Sequence, residues 1–320
     1  MTMHRPFFSI VIPTWNGGKT IGETINSLLN QNFPYSQSEI IVVDDGSTDD
    51  TLNKLDSFSN RIRIFQQQNS GAASARNMGM HRARGEYIVC FDHDDILFPD
   101  ALRVYKQVID AFDRPPVLLG QAHFFSGRSL EFSPGKPSTV ECVKCKDFFG
   151  KTVPTVVLNS ILILRKDKVL SAGGYSPDIA SYDDHDLLFK LGNAGPMVKI
   201  MRPITVAYRL HGRNATRDPE FVTQGAIALI RNERRGIYPG GVSRMLDRRG
   251  LIGSNILSNS YSYYLKSRQI PLRLRLAHIG RLMLYARGMI PAAAIRTSLN
   301  YFYSEEVRSL VCSISESAKA

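Results

Sequence analysis

No run of eighteen apolar residues occurs anywhere in the 320-residue chain, so the sequence offers no helix able to cross a bilayer. Cysteine is scarce as well. Cys90, Cys142, Cys145 and Cys312 are too few and too scattered for a disulfide framework, which suits a reducing compartment. Cys142-x-x-Cys145 has no second Cys or His pair at zinc-finger spacing and reads as structurally ordinary. Two phosphate-binding signatures are also absent. Gly17-Gly18-Lys19-Thr20 imitates the end of a P-loop, but the first glycine of that motif would fall at position 13, which is Pro13. No Gly-x-Gly-x-x-Gly follows the first apolar run, which disfavours a dinucleotide dehydrogenase. No aromatic-basic motif stands out, and nucleic acid is not expected as a partner. The apolar run Phe7 to Ile12 is short and meets Pro13 and Trp15 instead of a small-residue cleavage site, so it is expected as a first strand, not a leader.

What is present begins with a hydrophobic fraction of 43%, enough for a sizeable core. The net charge of +11 is unevenly placed. Residues 1–224 hold 25 Lys and Arg against 24 Asp and Glu, while residues 225–320 hold 15 against 5, so nearly all the excess lies in the second segment. That shift sets the expected division of the chain, a main domain over 1–224 and a basic, mainly helical region over 225–320.

Along residues 7–112, short β-branched runs alternate with helix-spaced apolar residues. Phe7 to Pro13, Glu39 to Val43, Ile62 to Phe65 and Tyr87 to Phe91 read as strands. Ile21, Ile25 and Leu28, then Leu52 and Leu55, then the Ala-rich stretch around Arg76 and Asn77, then Leu102, Tyr105 and Ile109 read as helices. Such alternation predicts an α/β fold with a mostly parallel sheet flanked by helices, and the loops leaving the strands' carboxyl ends gather along one edge where ligands bind. Beyond Pro115 the pattern loosens. Val117 to Phe125 and Ser129 to Phe132 are expected to pair as an antiparallel hairpin, and Asp167 is expected to cap a helix.

The sharpest feature is the stretch Tyr87 to Asp95, in which a buried-strand run ends in three carboxylates within four positions, Asp92, Asp94 and Asp95. Residues two apart on a strand point to one side, so a turn there converges Asp92 and Asp94 on one cation; the bland alternative is a solvated loop with one Asp capping the next helix. A second acidic cluster, Asp183-Asp184-His185-Asp186, runs into an apolar helix. There the bland alternative is favourable interaction with the helix dipole.

Five segments occur in order: Ser9 to Asn16, Val42 to Asp49, Asn69-Ser70-Gly71 with Ala75-Arg76-Asn77 and Gly79, Phe91-Asp92-x-Asp94-Asp95, and Asp183-Asp184-x-Asp186-Leu187. Over roughly residues 7–211 their order and spacing resemble the family 2 inverting glycosyltransferases, nucleotide-sugar enzymes of the GT-A type, a Rossmann-like architecture. The resemblance implies that Thr14, Trp15 and Asn16 line the nucleotide pocket, with the indole as a face for the base, and that Asp44 hydrogen-bonds the base. Trp15 stands where family members more often have Tyr. Arg76, with Asn77 beside it, matches the arginine near the diphosphate; the alternative for Arg76 is an exposed helix cation. Asp92 and Asp94 match the acids that hold Mn2+ or Mg2+ against the donor. The pair Asp183-Asp184 resembles a Glu-Asp signature whose second acid is the acceptor-side base, with Asp183 one methylene shorter than the family's Glu. Asp45 and Ser47 are expected to shape the turn after the second strand. His211 in Tyr208-Arg209-Leu210-His211 matches a residue that approaches the metal or diphosphate, the alternative being a structural histidine.

The resemblance thus implies inverting transfer from a nucleotide sugar, with UDP as the expected carrier, to the hydroxyl of a glycan or lipid-linked glycan in cell-envelope polysaccharide synthesis. The alternatives are a nucleotidyltransferase of related fold and a non-catalytic sugar-nucleotide-binding scaffold. Residues 225–320 fall outside the resemblance. Leu272, Leu276, Ile279, Met283 and Ile290 have helical spacing with interspersed arginines, while Leu272 to Leu276 also alternates like a strand. Two readings stand for this segment: peripheral attachment to an anionic membrane on the cytoplasmic face, or a helical packing or oligomerisation unit with a solvated basic face.

Overall fold

The computed structural model describes residues 5–127, 130–135, 139–148, 159–179, 181–211 and 219–241. Its first half alternates β1 (Phe8–Thr14), α1 (Ile21–Leu29), β2 (Ser38–Asp44), α2 (Thr51–Asp56), β3 (Arg63–Gln66), α3 (Ala72–Arg82), β4 (Tyr87–Cys90), β5 (Ile96–Leu97) and α4 (Ala101–Ala111). There follow β6 (Val117–Leu119), β7 (Ala122–Ser126), β8 (Glu141–Cys145), β9 (Leu162–Arg165), α5 (Lys166–Ser171), α6 (Asp183–Lys190), β10 (Met197–Arg202), β11 (Val206–Leu210) and α7 (Pro219–Arg234).

Eight strands form the main sheet in the order β3-β2-β1-β4-β9-β6-β10-β8. Strands β3, β2, β1 and β4 run parallel, β9 is antiparallel to both its neighbours, β10 is parallel to β6, and β8 closes the edge antiparallel. Every residue of β1 is buried because both faces are covered. Ile10 and Ile12 face one core with Ile21, Ile25 and Leu28 of α1 and Leu102 and Ile109 of α4. Val11, on the opposite face, packs with Ile41 and Val43 against α3, α6 and α7. The small residues of α3 let it approach closely: a Cβ added at Gly79 would stand 2.4 Å from Val11 Cγ1. This double cover aligns the carboxyl ends of β1, β2 and β4 on one rim, with Thr14 opposite Asp44 in register.

Three local expectations are revised. Strand β7 pairs in parallel with β11 in a separate three-stranded sheet with β5, and Leu130 to Phe132 forms no strand. Phe132 instead stacks on His123, with ring centroids 4.1 Å apart, and meets Phe98 edge-on, so this segment contributes side-chain cover and no ladder. Asp167 lies inside the first turn of α5, its carboxylate held by the Arg165 guanidinium at 2.8 Å, and makes no cap. The division expected at 224/225 falls within α7.

Residues beyond position 224 share a core with what precedes it. Ala226, Leu229, Ile230 and Tyr238 are buried together with Leu187, Leu188 and Phe189 of α6. Their polar lock is Asp186, which is fully buried and accepts the Tyr238 hydroxyl at 2.7 Å, the Asn232 amide at 3.1 Å and the Ser176 hydroxyl at 2.7 Å. Lys190 Nζ, 3.0 Å away, balances its charge. The basic pattern over 272–290 lies outside the described residues. No helix among the described residues is long and apolar enough to cross a membrane. Removing the buried anion strands a lysine, an amide and two hydroxyls, so Asp186→Ala is expected to destabilise the protein by about 3 kcal/mol or more, read as a lower urea midpoint at unchanged slope.

Candidate active site

One side of the cleft is built where β1 and β2 end. Thr14 and Asp44 are both buried, yet Thr14 Oγ1 and Asp44 Oδ1 have no hydrogen-bond partner among the described residues. The other Asp44 oxygen accepts the Ser47 N–H at 3.2 Å. A buried polar atom left unpaired costs about 1–3 kcal/mol, and here two stand at the same rim, a pair suited to the donor and acceptor edge of a bound base. Next to them Trp15, the single tryptophan, is 55% exposed and offers a bare aromatic face. Asn16 takes φ +51° and ties loops together: its N–H donates to Ser47 Oγ at 2.8 Å and its Oδ1 accepts the Thr48 N–H at 2.8 Å. Its side-chain oxygen is therefore spent on the loop after β2. Asp45 shapes the entry to α3 by accepting the Gln67 amide and the N–H groups of Ser70 and Gly71.

Arg76, on α3, joins the two acidic clusters. Its Nη2 donates to Asp92 Oδ1 and its Nη1 to Asp183 Oδ2, both at 2.7 Å, and its guanidinium carbon lies 5.3 Å from the Tyr175 ring centroid. At 5% exposure it is no solvated helix cation. Desolvation pulls its pKa down, but the combined fields of Asp183 and Asp92 hold it above the ordinary arginine value. Asn77 does not reach the cleft: its Nδ2 donates to Tyr175 O at 2.8 Å and its Oδ1 accepts the Tyr175 N–H at 2.9 Å, fixing the ring against which Arg76 lies.

The loop after β4 is held from behind. Thr24 Oγ1 sits 2.9 Å from His93 O and 2.8 Å from Asp95 O. Asp92 N–H donates to Ser160 Oγ at 3.1 Å, Ser160 donates to Asp95 Oδ2 at 2.5 Å, and Asp95 Oδ1 accepts the Arg209 N–H at 2.9 Å. Burial, reinforced by Asp94 and Asp92, pushes the Asp95 carboxyl well above the usual range. His211 Nε2 is 2.7 Å from Asp94 Oδ2. Asp92 Oδ2 and Asp94 Oδ1 thus accept no hydrogen bond among the described residues. Among the described residues no three His, Cys, Asp or Glu side chains converge at metal-holding distance. Asp92 is drawn toward Arg76 and Asp94 toward His211. Two open carboxylate oxygens and an imidazole nitrogen are nevertheless the donor types that Mn2+ and Mg2+ take, with diphosphate oxygens able to complete the shell.

Asp184, 9% exposed, has Oδ1 within 2.7 Å of both the backbone nitrogen and Nδ1 of His185, while its Oδ2 accepts nothing among the described residues. Asp183 is different. Burial, opposed by Arg76 but reinforced by Asp184 and Asp92, pushes its carboxyl up to about 6. Two neighbours had no signal in spacing or motif, Tyr175 and Ser160, and two stood inside the quoted motifs without a role of their own, His185 and Tyr208. The Tyr208 phenol is raised by burial and then by Asp92, Asp95, Asp94 and Asp184, which puts it within the field of both clusters.

A model of glycosyl transferase family 2 matches residues 9–168, half the chain. The chain belongs to that family. Among relatives, the poly(ribitol-phosphate) β-N-acetylglucosaminyltransferase TarS of Staphylococcus aureus is 30% identical over 165 residues, covering 50% of this chain and 29% of the relative. The chain spans about a third of the length of the curated relatives it matches first. A crystal structure of S. aureus TarS 1-349 with UDP-GlcNAc aligns with a TM-score of 0.64 at 19% identity, over 90% of this chain and 82% of that one. Mannosyltransferase PcManGT from Pyrobaculum calidifontis, solved with GDP-Man and Mn2+, aligns with a TM-score of 0.53 at 16% identity, over 94% and 89%. At such identities the likeness shows the fold, which is the GT-A type of this family 2 chain.

The raised Asp183 carboxyl gives a signed pH dependence. Its folded pKa of about 6 lies above the ordinary 3.8, so the folded state binds the extra proton in that window and stability contributed there falls as pH rises from about 4 to about 6. In Asp183→Asn that fall is absent. The stability of the variant relative to wild type is expected to increase by on the order of 2 kcal/mol between pH 4 and pH 6.5, measured by urea unfolding in metal-free buffer. A constant difference across that range would contradict the assignment.

Proposed function

We propose that this family 2 protein transfers a glycosyl group from a nucleoside-diphosphate sugar, UDP-linked, to an acceptor hydroxyl with inversion at the anomeric carbon. The observation that carries the proposal is Arg76, buried and bonded at 2.7 Å to Asp92 of one acidic cluster and to Asp183 of the other. One guanidinium thereby sets the distance between a donor-holding acid and the helix start that presents Asp184.

In this reading the base stacks on Trp15 while Asp44 Oδ1 accepts its ring N–H and Thr14 Oγ1 meets a neighbouring polar atom. Both buried atoms then gain the partners they lack. Arg76 holds Asp92 in place and adds positive charge near the diphosphate. Asp92, Asp94 and His211 would hold a divalent cation, which when bound supplies charge that offsets the leaving diphosphate. Asp184 uses Oδ2 to take the acceptor's proton, its other oxygen being fixed by His185. The attacking oxygen approaches from the face opposite the nucleotide, so the anomeric bond to the leaving phosphate breaks as the new one forms. The name of TarS, a poly(ribitol-phosphate) enzyme, supports an envelope polymer or its lipid-linked precursor as acceptor. The basic excess of residues 225–320 supports work at an anionic membrane surface.

A panel of UDP-, GDP- and dTDP-sugars with Mn2+ or Mg2+ tests this directly. Nucleoside diphosphate is the expected product, and pyrophosphate release would point to nucleotidyl transfer instead. Asp184→Asn should lower kcat by at least about a hundredfold, with UDP still quenching the fluorescence of Trp15. Wild-type turnover by that variant would overturn the assignment of the base. Asp94→Ala should remove metal-stimulated turnover, whereas undiminished wild-type activity in chelator would count against the cation.

A further inference from the structure

The opposite rim of the sheet, where β1, β2, β3 and β4 begin, carries a second feature that the donor-site chemistry does not use. An open groove of about 1470 Å³ runs there between Phe7, Tyr35, Arg63, Arg84 and Arg165. It is lined by seven cations and three acids, a local balance of +4. Residues 1–224 as a whole balance to 25 − 24 = +1, so all other residues of that stretch together carry −3. The net positive excess of residues 1–224 therefore lies in this recess.

Three of the cations are held by acids within the groove: Arg63 by Glu39 at 2.7 Å, Arg114 by Glu86, and Arg165 by Asp167 at 2.8 Å. Those pairs build the walls. Arg5, Arg61, Arg84 and Lys166 have no acidic partner among the described residues, and the three arginines are exposed. Tyr35 is 57% exposed, its hydroxyl donates to Arg61 O at 2.8 Å, and the Arg61 guanidinium lies 5.8 Å from its ring centroid. An aromatic ledge is thus fixed beside free guanidinium forks, which match phosphate oxygens in pairs.

We propose that this groove binds a linear, phosphate-bearing polyanion. The concave shape decides against a bilayer surface, which is planar and is met by protruding side chains. The groove also lies about 20 Å from the donor rim, the length of seven-residue β1, so it is a separate contact. In a transferase that acts on such a polymer the groove retains the chain between turnovers. That role rests on the proposed transferase reading; the binding itself does not.

The test measures binding alone. Full-length protein is titrated with fluorescein-labelled inorganic polyphosphate at low salt, beside vesicles of phosphatidylcholine with phosphatidylglycerol. Arg61→Glu/Arg84→Glu is compared with wild type after its unfolding transition is checked; if it fails to fold, Arg61→Gln/Arg84→Gln replaces it under the same criterion. Wild type is expected to bind polyphosphate, and the double variant at least about tenfold more weakly, with a shallower salt dependence. No binding by wild type, or equal binding by both proteins, overturns the proposal, the latter placing the contact on other basic residues such as those of 225–320. Groove-dependent capture of vesicles without polyphosphate binding would also overturn it, in favour of a membrane surface.

Discussion

A guanidinium removed from water must be matched by carboxylates or the fold cannot close around it. Arg76 imposes that requirement here. It sits on α3 at 5% exposure, and its two partners come from the loop after β4 and from the first turn of α6. Segments far apart in sequence therefore converge on one cation. The supports around it serve the same end: Gly79 lets α3 settle onto Val11, and Asn77 clamps the Tyr175 backbone so that the phenol ring lies against the guanidinium. Replacing Arg76 by lysine would keep the charge but lose the fork that reaches both acids at once.

Arg76 does not neutralise the site. Asp92, Asp94, Asp95, Asp183 and Asp184 make up the two clusters it joins, and Arg209 is the other guanidinium in contact with them among the described residues, already shared with Glu23 and with the carbonyl of Asp94. Burial first, and the neighbouring negative charge after it, raises the carboxyls of Asp95 and Asp183. Asp95 relieves it through two neutral donors, the Ser160 hydroxyl and the Arg209 amide. Asp92 and Asp94 each keep one oxygen without a hydrogen-bond partner among the described residues. A region of this kind attracts a divalent cation, and with it the diphosphate that the acids alone would repel.

Much of this frame was legible in the sequence. Buried parallel strands leave uninterrupted apolar runs, and β1, β2 and β4 ended where those runs met Asn16, Asp44 and Asp92. Ordered motifs named both acidic clusters and Arg76. What spacing could not carry was the reach of side chains across the fold. Ser160 matters because β9 enters the sheet antiparallel beside β4, bringing the preceding turn to Asp92, and Tyr175 reaches the same turn through its hydroxyl, which donates to Asn159. Asn77 resembled a cleft residue in sequence, yet both ends of its amide are taken by the Tyr175 backbone, and Asn16 ties its Oδ1 to the Thr48 N–H. The shift in charge near 224 suggested a boundary, but charge marks the solvent side of a helix and says nothing of its buried side, where Ala226 and Leu229 join the core. A hairpin was expected where Phe132 instead spends its apolar surface on His123 and Phe98.

The near-neutral balance of residues 1–224 conceals an arrangement that parallel topology makes possible. Four neighbouring strands that all point one way give the sheet two chemically distinct rims, and each loop set can be specialised independently. The carboxyl-end rim carries the acids proposed to hold cation and base; the amino-end rim carries the arginines of the groove. An anionic chain approaching the protein is repelled by the first and attracted by the second, so the charge separation orients the encounter before any specific contact forms. Summed charge cannot report this, because the two rims cancel. Only the direction of the strands, which the order of the apolar runs and their acidic endings already implied, separates them.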